Sequence, residues 1–152
     1  MEKMLERVLR TACFLLMLAM VTIIFAQVIA RYVLSDSLSW SEEVGRYLFI
    51  WMTFLGAALA LRNGNHVALD VLVARLPAPL KKACLVFGNL AMAIFAVVIV
   101  YGGYAFVLRG SRQMSAALQL PMQYVYLVLP LGGLLILFYI GRNVWRILRT
   151  GS

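Results

Sequence analysis

Four long stretches without a charged side chain divide this sequence and leave little room for anything else. They run from Thr11 to Ala30, Tyr47 to Leu61, Ala83 to Leu108 and Gln113 to Gly141, which is 20, 15, 26 and 29 residues. A helix rises about 1.5 Å per residue, so crossing a hydrocarbon layer of about 30 Å takes roughly 17–25 apolar residues. Three stretches pass alone, and the second passes when its helix starts before Arg46. The expected architecture is an all-α membrane protein with a single four-helix domain over residues 1–152. Its four transmembrane helices fall at about 5–34, 39–62, 80–108 and 121–148. Composition agrees: 64% of residues are hydrophobic and 13% charged, against about 45–50% and 25% in soluble domains.

The distribution of charge sets the expected topology. Lys3, Arg7 and Arg10 precede the first stretch, Arg62, Arg75, Lys81 and Lys82 lie between the second and third, and Arg142, Arg146 and Arg149 follow the fourth. Only Arg31, Arg46, Arg109 and Arg112 fall on the other side. The positive-inside bias then puts both termini and the middle connection in the cytoplasm. The net charge of +8 is read as topology with some attraction to anionic lipid, so the bilayer is the expected partner and nucleic acid is not. Basic residues ahead of an apolar run also describe a signal peptide, whose apolar part is about 7–15 residues. Twenty uncharged residues before Arg31-Tyr32 fit a retained helix better. Cys13 and Cys84 are read as small apolar side chains without a disulfide.

The second helix carries the most information. Ser39 with Glu42 three residues on has the spacing of a capping box. At 100° per residue, Glu42, Arg46, Phe49, Thr53, Gly56 and Ala60 fall within about 40° of one line. One face thus carries an acid and a base four apart, then small residues that let another helix approach closely. Two readings stand at this point: packing within the chain, or docking of a separate membrane subunit. Glu42, Glu43 and Arg46 suit the bilayer edge, where Trp40, Tyr47 and Trp51 support an interfacial position, better than its centre, where a charge costs roughly 2.5–3.5 kcal/mol.

Elsewhere the signals are local. Gln27 is read as facing something other than lipid or bonding across helices, and Asn89 as bonding across a helix interface. After Arg62 and Gly64, residues 66–76 place Leu69, Leu72, Val73 and Leu76 on one face, with His66, Asp70 and Arg75 more polar. A short cytoplasmic interfacial helix suits this pattern, as does a loop folded against a neighbour. His66 is the only histidine, so a hydrogen bond is the better reading than a metal or haem site, which needs several ligands. Pro121 suits a helix's first turn, and Pro130 takes the helical partner from the carbonyl of Tyr126, so a kink is expected.

No phosphate loop, catalytic triad, CxxC or zinc-binding motif is present, which points away from an enzyme or a resident cofactor. No span carries an ionisable side chain at mid-depth, where a self-sufficient transporter usually keeps one. The pattern fits a subunit better than a complete machine.

Arg31-Tyr32, Ser39-Trp40-Ser41-Glu42-Glu43, Arg46-Tyr47, Phe49-x-Trp51 and Phe54-Leu55-Gly56-Ala57-Ala58 resemble the small membrane subunit of tripartite ATP-independent periplasmic (TRAP) transporters, the DctQ type. So do Arg62 and His66 with the residues up to Leu72, and Ser115-x-x-Leu118-x-x-Pro121 with Tyr124, Tyr126 and Pro130-x-Gly132. The resemblance implies a bacterial or archaeal cytoplasmic membrane system for uptake of an organic acid anion. A periplasmic binding protein captures the substrate, and a large sodium-coupled subunit moves it. The small subunit scaffolds the large one and receives the binding protein, while sodium and substrate sites belong to the large subunit. Trp40, Glu42, Glu43, Arg46, Thr53, Gly56 and Ala60 are then candidates for contact with the large subunit. Asp36, Arg109 and Arg112 would face the binding protein, and Arg62, His66 and Asp70 the cytoplasmic interface. Because the sequence stops after its fourth helix, the partner is expected as a separate polypeptide. The alternatives are a structural partner of another membrane complex and a self-contained small exporter.

Overall fold

The computed structural model describes residues 2–33, 38–62 and 77–149. Helix α1 spans Glu2–Val33, α2 Ser39–Arg62, α3 Ala78–Gly110, α4 Gln123–Tyr126 and α5 Val128–Arg149. Among the described residues, four segments are long and apolar enough to cross a membrane, the last running from α4 into α5. The 66–76 stretch, with its expected interfacial helix, lies outside the described residues.

The last span is broken where the proline demands it. Pro130 offers no N–H to the carbonyl of Tyr126, and its ring crowds that carbonyl. The regular helix accordingly stops at Tyr126 and resumes at Val128. Leu127 bridges the two halves, donating its N–H to Gln123 O (3.0 Å) and accepting from the N–H of Leu131 (3.3 Å). Two helix starts differ from expectation. Leu38, not Ser39, precedes α2, and the hydroxyl at work there is that of Ser41, which donates to Leu38 O (2.6 Å). Glu42 meanwhile accepts from Gln27 Nε2 (3.3 Å) and so ties α2 to α1. Pro121 sits ahead of the helix, pairing antiparallel with Met114, so the chain turns there before α4 begins.

The helices pack as a row in the order α1, α2, α5, α3, with α4 lodged between α3 and α2. Lipid tails are as apolar as leucine, so helices in a bilayer gain little by hiding apolar surface from one another; close van der Waals packing and interhelical hydrogen bonds hold them. The core is therefore built where small residues permit contact. Leu9, Leu55, Ala58, Ala96, Val128, Ile136, Tyr139 and Ile140 form it, and α5 lies at its centre. Gly132 backs onto Phe54 of α2, where a Cβ would lie 2.9 Å from Phe54 Cβ. Gly133 backs onto α3, where a Cβ would meet Val100 Cγ2 at 2.6 Å and Ala96 O at 3.2 Å. The adjacent glycines let α5 sit tightly between its two neighbours. The outer flanks of the row, Phe14 and Phe25 on α1 and Phe87, Phe95 and Tyr101 on α3, are exposed, as side chains facing lipid should be.

Polar contacts close the row at both ends. At one end Arg62 pairs with Glu6, which also meets Arg10 at 2.5 Å, and Asn143 Nδ2 donates to Leu61 O (3.0 Å). Lys3 and Arg7 on α1 and Arg142 on α5 lie beside these contacts. The other end holds Arg31, Arg46, Arg109 and Arg112, which places the two charge groups read from the sequence at opposite ends of the spans.

Candidate functional site

Two features stand out from the packed row: the face of α2 that its own chain leaves open, and the turn between α3 and α4. The α2 face follows from the helical period. Ser41, Gly45, Leu55 and Ala58 are buried against the neighbouring helices, Gly45 lying 3.9 Å from Ile24 by the Cβ it lacks. The stripe across the helix from Leu55 and Ala58 carries Glu42, Arg46, Phe49, Thr53 and Ala60, all exposed, with Gly56 half-buried. Phe49 keeps 55% of its surface. No atom of another described helix lies within 4 Å of a Cβ built on Gly56. The stripe is thus divided: at its start Glu42 accepts from Gln27 of α1, as packing within the chain requires, while Arg46, Phe49, Thr53 and Ala60 stay exposed among the described residues. Trp40, at 43% exposure, stands at the mouth of the same helix.

Glu43 departs from the other charged residues of this helix. It is one position, about 100°, off the stripe, and its carboxylate is committed within the chain rather than offered to a partner. The turn at 111–122 explains how. Met122 N–H donates to Gln113 O (2.9 Å), Ser115 N–H to Leu120 O (2.9 Å), and Leu120 N–H returns to Ser115 Oγ (3.2 Å). Gln119 adopts the left-handed conformation, φ 54°, which closes the loop. Three successive N–H groups then point the same way. Those of Ala116, Ala117 and Leu118 reach the Glu43 carboxylate at 3.2, 2.9 and 3.0 Å. Tyr47, one turn along α2, donates its hydroxyl to the same group and lies 3.2 Å from Met122 Sδ. Successive backbone N–H groups make a concave anion-binding surface. An ionised carboxylate, which only accepts, is matched to four donors.

Arg109 and Arg112 flank this turn and are exposed. Arg62 sits at the far end of α2, paired with Glu6. Asp36, His66 and Asp70 lie outside the described residues. A small polar cleft lined by Gln27, Arg31, Leu38, Ser39 and Glu42 opens between α1 and α2 at the Arg46 end. Among the described residues, no three of His, Cys, Asp and Glu come together as metal ligands would. Sequence reasoning missed the acceptor role of Glu43. Its partners are backbone amides more than 70 positions away, and amides carry no residue-type signature. The one usable signal was Ser115-x-x-Leu118-x-x-Pro121, a polar start and a proline stop around small residues.

The model of the family described as "Tripartite ATP-independent periplasmic transporters, DctQ component" matches residues 20–150. A C4-dicarboxylate TRAP transporter small permease protein of Rhodobacter capsulatus is 38% identical over 76% of this chain, which spans 52% of that relative's length. A putative TRAP transporter small permease protein of Haemophilus influenzae is 32% identical over 86% of this chain and 81% of its own. An isethionate TRAP transporter permease protein of Oleidesulfovibrio alaskensis is 30% identical over 75% of this chain, and the match covers 19% of that longer protein.

Proposed function

Because the chain belongs to the family of DctQ components of TRAP transporters, a family of inner-membrane transport components and not of enzymes, we propose that it is the scaffold on which a large transport subunit is held. The observation that carries this reading is the uncovered α2 stripe from Glu42 to Ala60. A helix with a charged end and a small-residue strip has the form of a helix–helix interface, and beyond the Glu42–Gln27 bond the described residues leave its Arg46, Phe49, Thr53 and Ala60 exposed. The isethionate relative supports the same reading, since most of that longer protein lies outside the match and offers room for the large subunit on one polypeptide.

On this reading Trp40, Glu42, Arg46, Phe49, Thr53, Gly56 and Ala60 meet the large subunit. Sodium and the substrate, an organic acid anion, are handled there, because this chain brings no ionisable side chain to mid-depth. The Arg62 end faces the cytoplasm, by the positive-inside bias, and the Arg46 end faces the periplasm. Arg109, Arg112 and the segment around Asp36 then lie where a periplasmic binding protein delivers its cargo. Reporter fusions after Arg112 and after Arg149 test the orientation: the first is expected to report the periplasm and the second the cytoplasm.

The test of the scaffold is capture of the tagged chain from its native membrane in mild detergent. A much larger, many-helix membrane protein is expected at equal stoichiometry. Glu42→Lys and Arg46→Glu are each expected to reduce that recovery and the uptake of organic acid with it. Recovery of the wild-type chain alone, or full assembly and uptake with both charges reversed, overturns the proposal.

A further inference from the structure

We infer that Glu43 is a positioning residue, whose carboxylate sets the shape of the 111–122 turn and so presents Arg109, Arg112 and Gln119 to the soluble binding protein as a preformed surface. The inference rests on the scaffold reading for the identity of that partner, but the geometry stands without it. Three adjacent N–H groups aimed at one point have no other protein acceptor there, since the turn's own bonds are Ser115 to Leu120 and Met122 to Gln113. The acceptor comes from another helix, 73 to 75 positions earlier in the chain. Ala116 and Ala117 contribute no side chain capable of holding the turn, and both are exposed. The loop's conformation therefore depends on an anion supplied by α2, with Tyr47 fixing that anion's rotamer from one turn away.

Such a device has a purpose at a docking surface. Ordering an exposed loop on binding costs conformational entropy, and a loop already ordered does not incur that cost. Arg109 and Arg112 stand at the foot of the turn and Gln119 at its tip, exposed, with its Nε2 donating back to Ala116 O (3.3 Å). Both acids of this end among the described residues are engaged inside the chain, Glu43 by the turn and Glu42 by Gln27. Arg31, Arg46, Arg109 and Arg112 outnumber these two acids at this end, so the described surface carries net positive charge, and the face it suits on the binding protein is acidic.

The test uses the chain assembled with its large subunit in lipid vesicles, with Glu43→Gln and Glu43→Asp compared with wild type. Glutamine keeps the length but turns an NH2 donor toward the amide donors. Glu43→Gln is expected to speed hydrogen exchange at the amides of 116–118. It should also raise the binding-protein concentration for half-maximal uptake by about tenfold, the counterpart of one lost charge-assisted hydrogen bond. The rate at saturating binding protein should stay unchanged. Glu43→Asp, which restores the charge on a shorter arm, should fall between. A merely structural residue would instead lower the saturating rate or the yield of complex in step with exchange, and that result overturns the inference. So does faster exchange with an unchanged half-maximal concentration. Wild-type uptake that ignores the binding protein would sink the partner reading, and exchange at 116–118 in the isolated chain would still decide whether Glu43 holds the turn.

Discussion

Leucine at Gly133 is expected to abolish recovery of folded protein in mild detergent. A Cβ at this position already falls 2.6 Å from Val100 Cγ2 and 3.2 Å from the carbonyl oxygen of Ala96. The methyl of Val100 can rotate away, but the backbone of α3 cannot yield without opening the helix. Alanine therefore tests the near limit, with an expected loss of about 1–3 kcal/mol, the usual cost of overpacking a filled core. Leucine adds three more carbons to the same gap and must separate α3 from α5. Because α5 is the one long helix against which α3 packs extensively, that separation leaves α3 with little but α4. Thermal unfolding followed by size-exclusion chromatography of the Gly133→Ala and Gly133→Leu proteins reads both effects. A leucine variant that elutes as a single species at the wild-type melting temperature would show that the helices are not in contact here.

Gly56→Leu is expected to do the reverse. The isolated chain should fold as well as wild type, since no other described helix comes within 4 Å of the new Cβ. Its association with the large subunit should fall. The same overpacking cost of about 1–3 kcal/mol, placed at an interface between chains, weakens association roughly 5- to 150-fold. Unchanged melting of the isolated chain with lost co-purification is the expected pair of results. Equal co-purification of Gly56→Leu and wild type would mean that lipid, and not a protein, covers this stripe.

These two glycines also measure how far the sequence could be read. Four spans are legible because membrane insertion depends on a sum over twenty residues, which survives ignorance of any single contact. The interruption at Leu127 is legible because Pro130 removes a specific donor. Which glycine meets a neighbour is a different kind of question. Gly56 with Ala60 has the spacing of a close-packing motif and lies open within the chain, whereas Gly132 and Gly133, with no such spacing, carry the contacts of α5. The difference lies in the rotation of each helix about its axis, which the whole row sets. The same limit hid Glu43, grouped by position with Glu42 yet turned to another sector by one step of 100°. The capping reading at Ser39 failed for a local reason. Glu42 has a better use on Gln27 of the preceding helix, which brings the start of α2 against α1.

A row one helix thick has a long perimeter for its mass. Its inner helices α2 and α5 have the environment on two sides, where those of a closed bundle would have it on one. Covering one broad side with a partner removes a large share of the boundary that lipid must otherwise solvate. Anything that binds the folded form and not the unfolded one adds to its stability by mass action. The folded population of this chain is then coupled to the abundance of whatever lines that side. A chain whose broad side is left to lipid then has a smaller margin against unfolding than one whose side is covered.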